Sequence, residues 1–283
     1  MTVSAVPLTS IRTAPPARPD ARFQSDLRLA LGQVRFEQRA FWRNRTRAFF
    51  SVAFPLMFLV VFNAINGNHD IGKLGGISYA TWFVPGILAY GIIMSTFSNL
   101  AISTAISRDA GVLKRLRGTP VPSWVYLVGS VGSTLVTSTV LVAVTLALGA
   151  GVYGAHIRIE TLLGLIATLA LGSVCFTTLG LAVTAVIPNA DAAPAIVNVI
   201  VLPLTFISGI WMVMAGAPAW LVTTAKVFPV RALAHGLQYA FDPATRGNGI
   251  SGPDLAVLAL WTVIGVRVFR QRFRWTPRSD GAR

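Results

Sequence analysis

Apolar residues fall into six long blocks along the chain, separated by short polar segments. A helix needs about 20 such residues to cross about 30 Å of hydrocarbon. Five blocks meet that length, at roughly 48–66, 81–103, 124–149, 161–187 and 194–214. The sixth, 253–273, is the weakest, because only twelve residues, Leu255 to Val266, separate Asp254 from Arg267. As a helix they rise about 18 Å. Arg267, Arg270, Arg272 and Arg274 must therefore snorkel to the interface to complete that crossing.

The segment before the first block, 25–46, reads SDLRLALGQVRFEQRAFWRNRT. Leu27, Leu31, Val34, Phe41 and Trp42 recur near helical spacing among arginines. This pattern predicts an amphipathic helix in the membrane interface. The plainer alternative is a charged helix end leading into the first span. Residues 1–24 are rich in Pro, Ala, Ser and Arg and hold no apolar run of the kind a signal peptide needs. They read as a disordered cytoplasmic tail. The expected organisation is a tail over 1–24, an interfacial helix over 25–46, a six-helix transmembrane domain over 47–273, and a second cytoplasmic tail over 274–283. The fold class expected is an all-α integral membrane protein.

Composition agrees with this pattern. Of 283 residues, 54% are hydrophobic and 12% charged, with a mean hydropathy of +0.64. Soluble domains carry roughly 25% charged residues, so a soluble enzyme is excluded. The net charge of +14 would suggest nucleic acid in a soluble chain. Here the basic residues lie between and outside the apolar blocks, which reads as topology signal and anionic-lipid contact rather than nucleic-acid binding. With six spans and both ends in the cytoplasm, the inner segments carry nineteen Lys and Arg and the outer ones five. The positive-inside rule selects this orientation, and hence a multi-pass protein of the plasma membrane. Arginine outnumbers lysine twenty-one to three, a bias consistent with a GC-rich bacterium.

Candidate chemistry on the chain is sparse. Cys175 is the sole cysteine, so no cysteine metal cluster exists. His69, His156 and His235 lie far apart in sequence, and none has a close partner there. No metal site or catalytic residue is expected. No Asp, Glu, Lys, Arg or His lies within the cores of spans 1 to 5, which weakens an ion-coupled transporter. None of the three lysines sits in a phosphate-cradling P-loop, and no esterase elbow or zinc-protease motif occurs. Energy for uphill transport must come from another polypeptide.

Polar residues in or bordering the spans include Asn63, Asn66, Asn99 and Asn198. They read either as helix–helix hydrogen bonds or as the lining of a substrate path. Asn99, Asn198, Pro203 and Ser208 are the candidate path residues. Pro55, Pro85 and Pro203 permit kinks. Gly164, Thr168, Gly172 and Gly180 stripe span 4, with Phe176 interrupting, and Gly129 and Ser133 mark span 3. Such stripes report close packing, within the bundle or between subunits.

The loop between spans 2 and 3 is the most informative segment. Residues 107–122 read SRDAGVLKRLRGTPVP. A short helix here would present Val112, Leu113 and Leu116 as an apolar ridge flanked by Lys114, Arg115 and Arg117. That suits a peg for a partner's groove, or equally a loop held by anionic headgroups.

The pattern Arg108, Asp109, Gly111, Leu113, Leu116, Thr119 and Pro120 resembles the loop signature of ABC-2 type permeases. Phe54–Pro55, Pro85–Gly86, Leu202–Pro203, Ser208–Gly209 and Phe228–Pro229 follow in matching order, so the resemblance covers roughly residues 25–273. Its closest flavour is the daunorubicin-resistance-like branch of drug and lipid exporters. The resemblance implies two permease subunits, as a homodimer or with a sister permease, and two ATPase subunits that carry the ATP and Mg. No cofactor is implied on this chain, which is not itself an enzyme. Arg108, Asp109, Gly111, Leu113, Lys114, Arg115, Leu116, Thr119 and Pro120 would form the ATPase-coupling helix. The interfacial helix, with Arg35, Arg39, Phe41, Trp42 and Arg43, would also contact the ATPase. Residues 218–240 would form short outer helices that dip into the membrane. The short loops 1–2 and 3–4 leave no room for a large outer domain, and loop 4–5, IPNADAA, allows only a small second contact.

The function expected is the membrane permease of an ATP-driven exporter for an amphipathic drug, lipid or lipid-linked molecule. An ion-driven secondary transporter is the alternative. A lipid-acting membrane enzyme is the third reading; His156 and Glu160 are its only nearby acid–base pair, read here as a loop hydrogen-bond pair or as solvated residues.

Overall fold

Proline and competing hydroxyls, more than hydropathy, shape the first two membrane helices. The computed structural model describes residues 19–66, 70–71, 77–117, 123–155, 158–214 and 216–273. Helix α1 runs Pro19–Arg43, and α2 (Arg45–Ala48) leads through a π-helical turn, Phe49–Ala53, into α3 (Phe54–Asn66). Pro55 has no N–H to offer the preceding turn. One position earlier, the Phe54 N–H reaches back to Phe49 O, the wide π spacing. Strands β1 (Asp70–Ile71) and β2 (Ile77–Ser78) form a minimal antiparallel pair.

Helix α4 (Tyr79–Ile93) starts on a Ser78 cap whose hydroxyl accepts from the Thr81 amide. A second π turn, Met94–Ser98, joins it to α5 (Asn99–Asp109). Here two hydroxyls compete for one carbonyl: Ser95 Oγ and Thr96 Oγ1 both donate to Ile92 O, at 3.2 and 2.6 Å. Such back-bonding bends helices. Every residue from Ala80 to Ile93 is buried, so span 2 is the axis of the bundle.

Helix α6 (Val112–Arg117) follows, then α7 (Ser123–Gly151), a 3-10 turn at Ile159–Thr161, α8 (Leu162–Val183) and α9 (Ala193–Phe206). Helices α10 (Ala219–Val227) and α11 (Pro229–Phe241) form a short pair before α12 (Gly252–Arg272). Among the described residues, five helices are long and apolar enough to cross a membrane: Phe49–Asn66, Tyr79–Asp109, Val128–Gly151, Ile159–Val183 and Gly252–Arg272. The fifth sequence block falls short. Helix α9 has 14 residues, a rise of about 21 Å. Beyond it Gly209 takes φ +86°, and Trp211 turns back into a ring cluster. Its centroid lies 5.1 Å from Phe58 and 5.0 Å from Tyr90, so spans 1 and 2 are tied to the chain just past α9. The sixth block, weak in sequence, is a full helix of 21 residues, with Leu258 and Gly265 as its buried positions.

The small-residue stripe of span 4 packs inside this chain. A Cβ on Gly164 would enter the backbone of Gly249, and one on Gly172 would enter Leu233 of α11. A Cβ on Gly180 would stand 2.8 Å from Phe97 O in the second π turn. Gly129 and Gly132 of α7 serve α1 in the same way, meeting Gln33 and Val34.

Candidate functional site

The expected interfacial helix begins at Pro19 rather than at 25, and it is docked on α7. Gln38 Nε2 donates to the Ser133 carbonyl, to Ser133 Oγ (3.2 Å) and to Thr137 Oγ1 (3.0 Å). Phe41 is 2% exposed and meets Trp42 edge-on at 5.2 Å. The apolar stripe read from sequence therefore splits. Val34 turns toward α7 and Phe41 is buried, while Leu31 and Trp42 stay exposed together with Arg35, Arg39 and Arg43. The inward face, Ala30, Gln33, Val34, Glu37, Gln38 and Phe41, is a polar–apolar mixture.

At the loop signature, the first two residues point into the protein. Arg108 is 3% exposed. Its guanidinium donates to three carbonyls past the end of α8: Thr184 O at 3.1 Å, Ile187 O at 2.9 Å and Pro188 O at 3.2 Å. It also pairs with Asp109 Oδ1 at 3.3 Å. Asp109 Oδ2 accepts the Ala190 amide. A helix end leaves carbonyls without partners, and the arginine fork supplies them. Loops 2–3 and 4–5 are thus stapled together, a partnership invisible in sequence because the partners lie some 80 positions apart.

Gly111 then takes φ +69°, a left-handed turn that reverses the chain into α6. Leu113, expected on an outward ridge, is fully buried in this chain. The ridge reading therefore fails for it; Val112 is half-buried and Lys114 and Arg115 are exposed. Arg115 donates to Ala110 O at 3.2 Å. The Leu116 side chain, Thr119 and Pro120 lie outside the described residues.

The candidate path residues divide between two places. Asn99 and Asn198 line one cavity of about 680 Å³ beside α1, with Glu37, Phe50, Met94 and Ser98. Pro203 and Ser208 do not. Pro203 sits within α9, and Ser208 lies at the far end of the bundle.

There the pair α10–α11 forms a cap that sequence reasoning placed, though without its contacts. Arg231 donates to Ser208 O at 2.9 Å, and Gln238 donates to Gly209 O at 3.0 Å. Together they hold the turn that ends α9. Burial lowers the Arg231 pKa from its usual value, and the charge of Asp254 pulls it back up. His235 Nδ1 lies 2.7 Å from Asp254 Oδ2, an oxygen that Ser251 Oγ also contacts. The histidine without a sequence partner thus has a carboxylate partner on α12, 19 positions along the chain. Helical spacing within one segment could not reveal it. A smaller cavity of about 330 Å³ opens beside Arg231, His235 and Trp82. Glu160 pairs with Arg158; His156 lies outside the described residues. Among the described residues no cluster of His, Cys, Asp or Glu is arranged to hold a metal.

The sequence of this largely helical membrane bundle is similar to those of known proteins. The profile of the ABC-2 type transporter family matches residues 33–241. The inner membrane transport permease YadH of Escherichia coli K12 is 22% identical over 185 residues, covering 65% of this chain and 71% of that one. The proteins of the same name from E. coli O157:H7 and Shigella flexneri match to the same extent. With the family match reaching from the middle of α1 to the end of α11, this chain belongs to the ABC-2 type transporter family of multi-pass membrane permeases.

Proposed function

We propose that this chain is the permease subunit of an ATP-driven exporter whose substrate is an amphipathic drug, lipid or lipid-linked molecule. ATP and Mg are bound by a separate ABC ATPase, and the chain itself catalyses no reaction. It works beside a second permease, a further copy or a sister chain. The arginines of α1 lie among anionic headgroups at the cytoplasmic face.

The observation that carries this reading is the Arg108–Asp109 staple. It fixes the base of α6 to the end of α8 while Lys114 and Arg115 stay exposed. A push on α6 is thereby passed to two membrane helices at once. A rigid element with two arrangements is what a coupling mechanism needs. ATPase closure would move α6, and α5 and α8 would follow.

The test is affinity purification of the tagged chain from native membranes in mild detergent. A stoichiometric P-loop ATPase is expected, lost in Leu116→Asp while the chain still inserts. Repeated preparations of intact chain without an ATPase would overturn the reading.

A further inference from the structure

The two π-helical turns among the described residues open onto the same space. Phe50 and Ser51 of the first turn, and Met94 and Ser98 of the second, line the 680 Å³ cavity beside α1. Its size lies within the range of small-molecule sites. Wide turns of this kind recur at functional sites. They also free carbonyls and displace side chains from regular helical packing.

Two features of the lining point to a ligand. Ser98 is 6% exposed, and its hydroxyl has no hydrogen-bond partner among the described residues. A buried hydroxyl without a partner is costly, and a ligand polar group would satisfy it. Among the described residues Glu37 is the only charged one in the lining. Its Oε1 accepts from Gln33 Nε2 at 3.3 Å and Ser130 Oγ at 3.4 Å, both long and neutral contacts. Among the described residues no cation pairs with it. A carboxylate has about four acceptor positions, so about half of its capacity is left for a ligand. Phe50 and Met94 supply apolar surface beside it, and an aromatic face also attracts cations.

We propose that this cavity binds amphipathic cations, with the Glu37 carboxylate as counter-charge and the Ser98 hydroxyl as an acceptor for a ligand donor. The proposal rests on the permease reading above and names its substrate class. Arg39, Arg43 and Arg45 are exposed nearby but do not line the cavity. The site selects positive charge inside a basic rim, and that contrast distinguishes it from general attraction to the membrane surface.

Ethidium, a planar cation with two amino groups, is the probe. Its fluorescence anisotropy is titrated against the purified full-length chain with whatever ATPase co-purifies. Saturable binding is expected, displaced by tetraphenylphosphonium and not by the near-isosteric anion tetraphenylborate. Glu37→Gln is expected to raise Kd roughly ten-fold, Glu37→Asp to restore most of the affinity, and Ser98→Ala to raise Kd about three-fold. Unchanged binding in Glu37→Gln, or equal displacement by both ions, overturns the proposal. Should Glu37→Gln fail to fold, Ser103→Lys places a cation in the same lining with Glu37 intact. It is expected to abolish ethidium binding, and full retention there overturns the proposal equally. The same preparations separate the two readings. An absent ATPase with intact cation binding removes the exporter assignment alone, whereas a bound ATPase with no charge selection removes the cation site alone.

Discussion

The Arg108 guanidinium lies 2.9 Å from the Ile187 carbonyl oxygen, joining the end of one membrane helix to the chain just beyond another. Thr184 and Pro188 carbonyls complete the arrangement. A planar fork reaches three oxygens that a single ammonium cannot. Arg108→Lys is therefore expected to lower stability by roughly 1–3 kcal/mol, and Arg108→Met by more, because charged hydrogen bonds of this kind are each worth about 1.5–3 kcal/mol. Thermal unfolding of the purified protein reads the loss. ATPase coupling in Arg108→Lys should fall further than its binding to the ATPase. Equal stability of Arg108→Met and wild type would show that the staple holds nothing.

Gly111 tests the turn between staple and coupling helix. Its φ of +69° is left-handed, and a Cβ there meets nothing within 4 Å. Gly111→Ala thus carries only the backbone cost, about 1–2 kcal/mol, without a clash. Asn tolerates this conformation better, so Gly111→Asn should lose less. Melting temperatures in the order Gly, Asn, Ala are expected, and an Ala variant as stable as wild type would exclude a left-handed turn.

How much of this was legible beforehand follows the range of the interactions. Most of the membrane blocks and the helix before the first of them were legible because each is a local pattern of apolar and basic residues, and the short α10–α11 pair was expected from the family resemblance. The loop motif was legible too, but its roles were not. Arg108, placed in the coupling helix by resemblance, and Leu113, read as part of an outward ridge, both turn inward, and the partners of Arg108 lie in the chain just past α8. Glu37 was passed over as one charge among many on an amphipathic helix. A local signal did exist: Gln33, Glu37 and Gln38 share the face of Ala30, Val34 and Phe41, which marks a docked polar stripe rather than a lipid-facing one. The shortness of α9 was hidden by hydropathy, since residues 207–214 stay apolar while the backbone turns at Gly209.

The approach of α8 to the second π turn predicts a steric effect. A Cβ at Gly180 would stand 2.8 Å from Phe97 O and 3.0 Å from Phe97 Cα. Both obstacles are backbone, so the helices must separate. Gly180→Ala should cost about 1–3 kcal/mol, as overpacking does. Gly151→Ala, which meets open space at the end of α7, is the control and should be neutral. Since Ser98 closes that π turn, Gly180→Ala should also weaken ethidium binding, whereas Gly151→Ala should leave it unchanged.

Asp254 answers three groups at the opposite end: His235, Ser251 and the buried charge of Arg231. Asp254→Asn keeps the shape and removes the charge. Arg231 then stays cationic, because guanidinium does not deprotonate in proteins, but with its burial less compensated. Its hold on Ser208 O and that of Gln238 on Gly209 O fix the turn after α9, so the loss should spread from α12 to α9. A destabilisation of roughly 1–3 kcal/mol is expected for Asp254→Asn, against less than about 1 kcal/mol for Ser251→Ala, which removes one neutral donor. Hydrogen exchange should show α11 and residues 207–214 opening together in Asp254→Asn. If α11 alone loosened, Arg231 would not be transmitting the charge of Asp254 to the end of α9, and the cap would be two independent contacts.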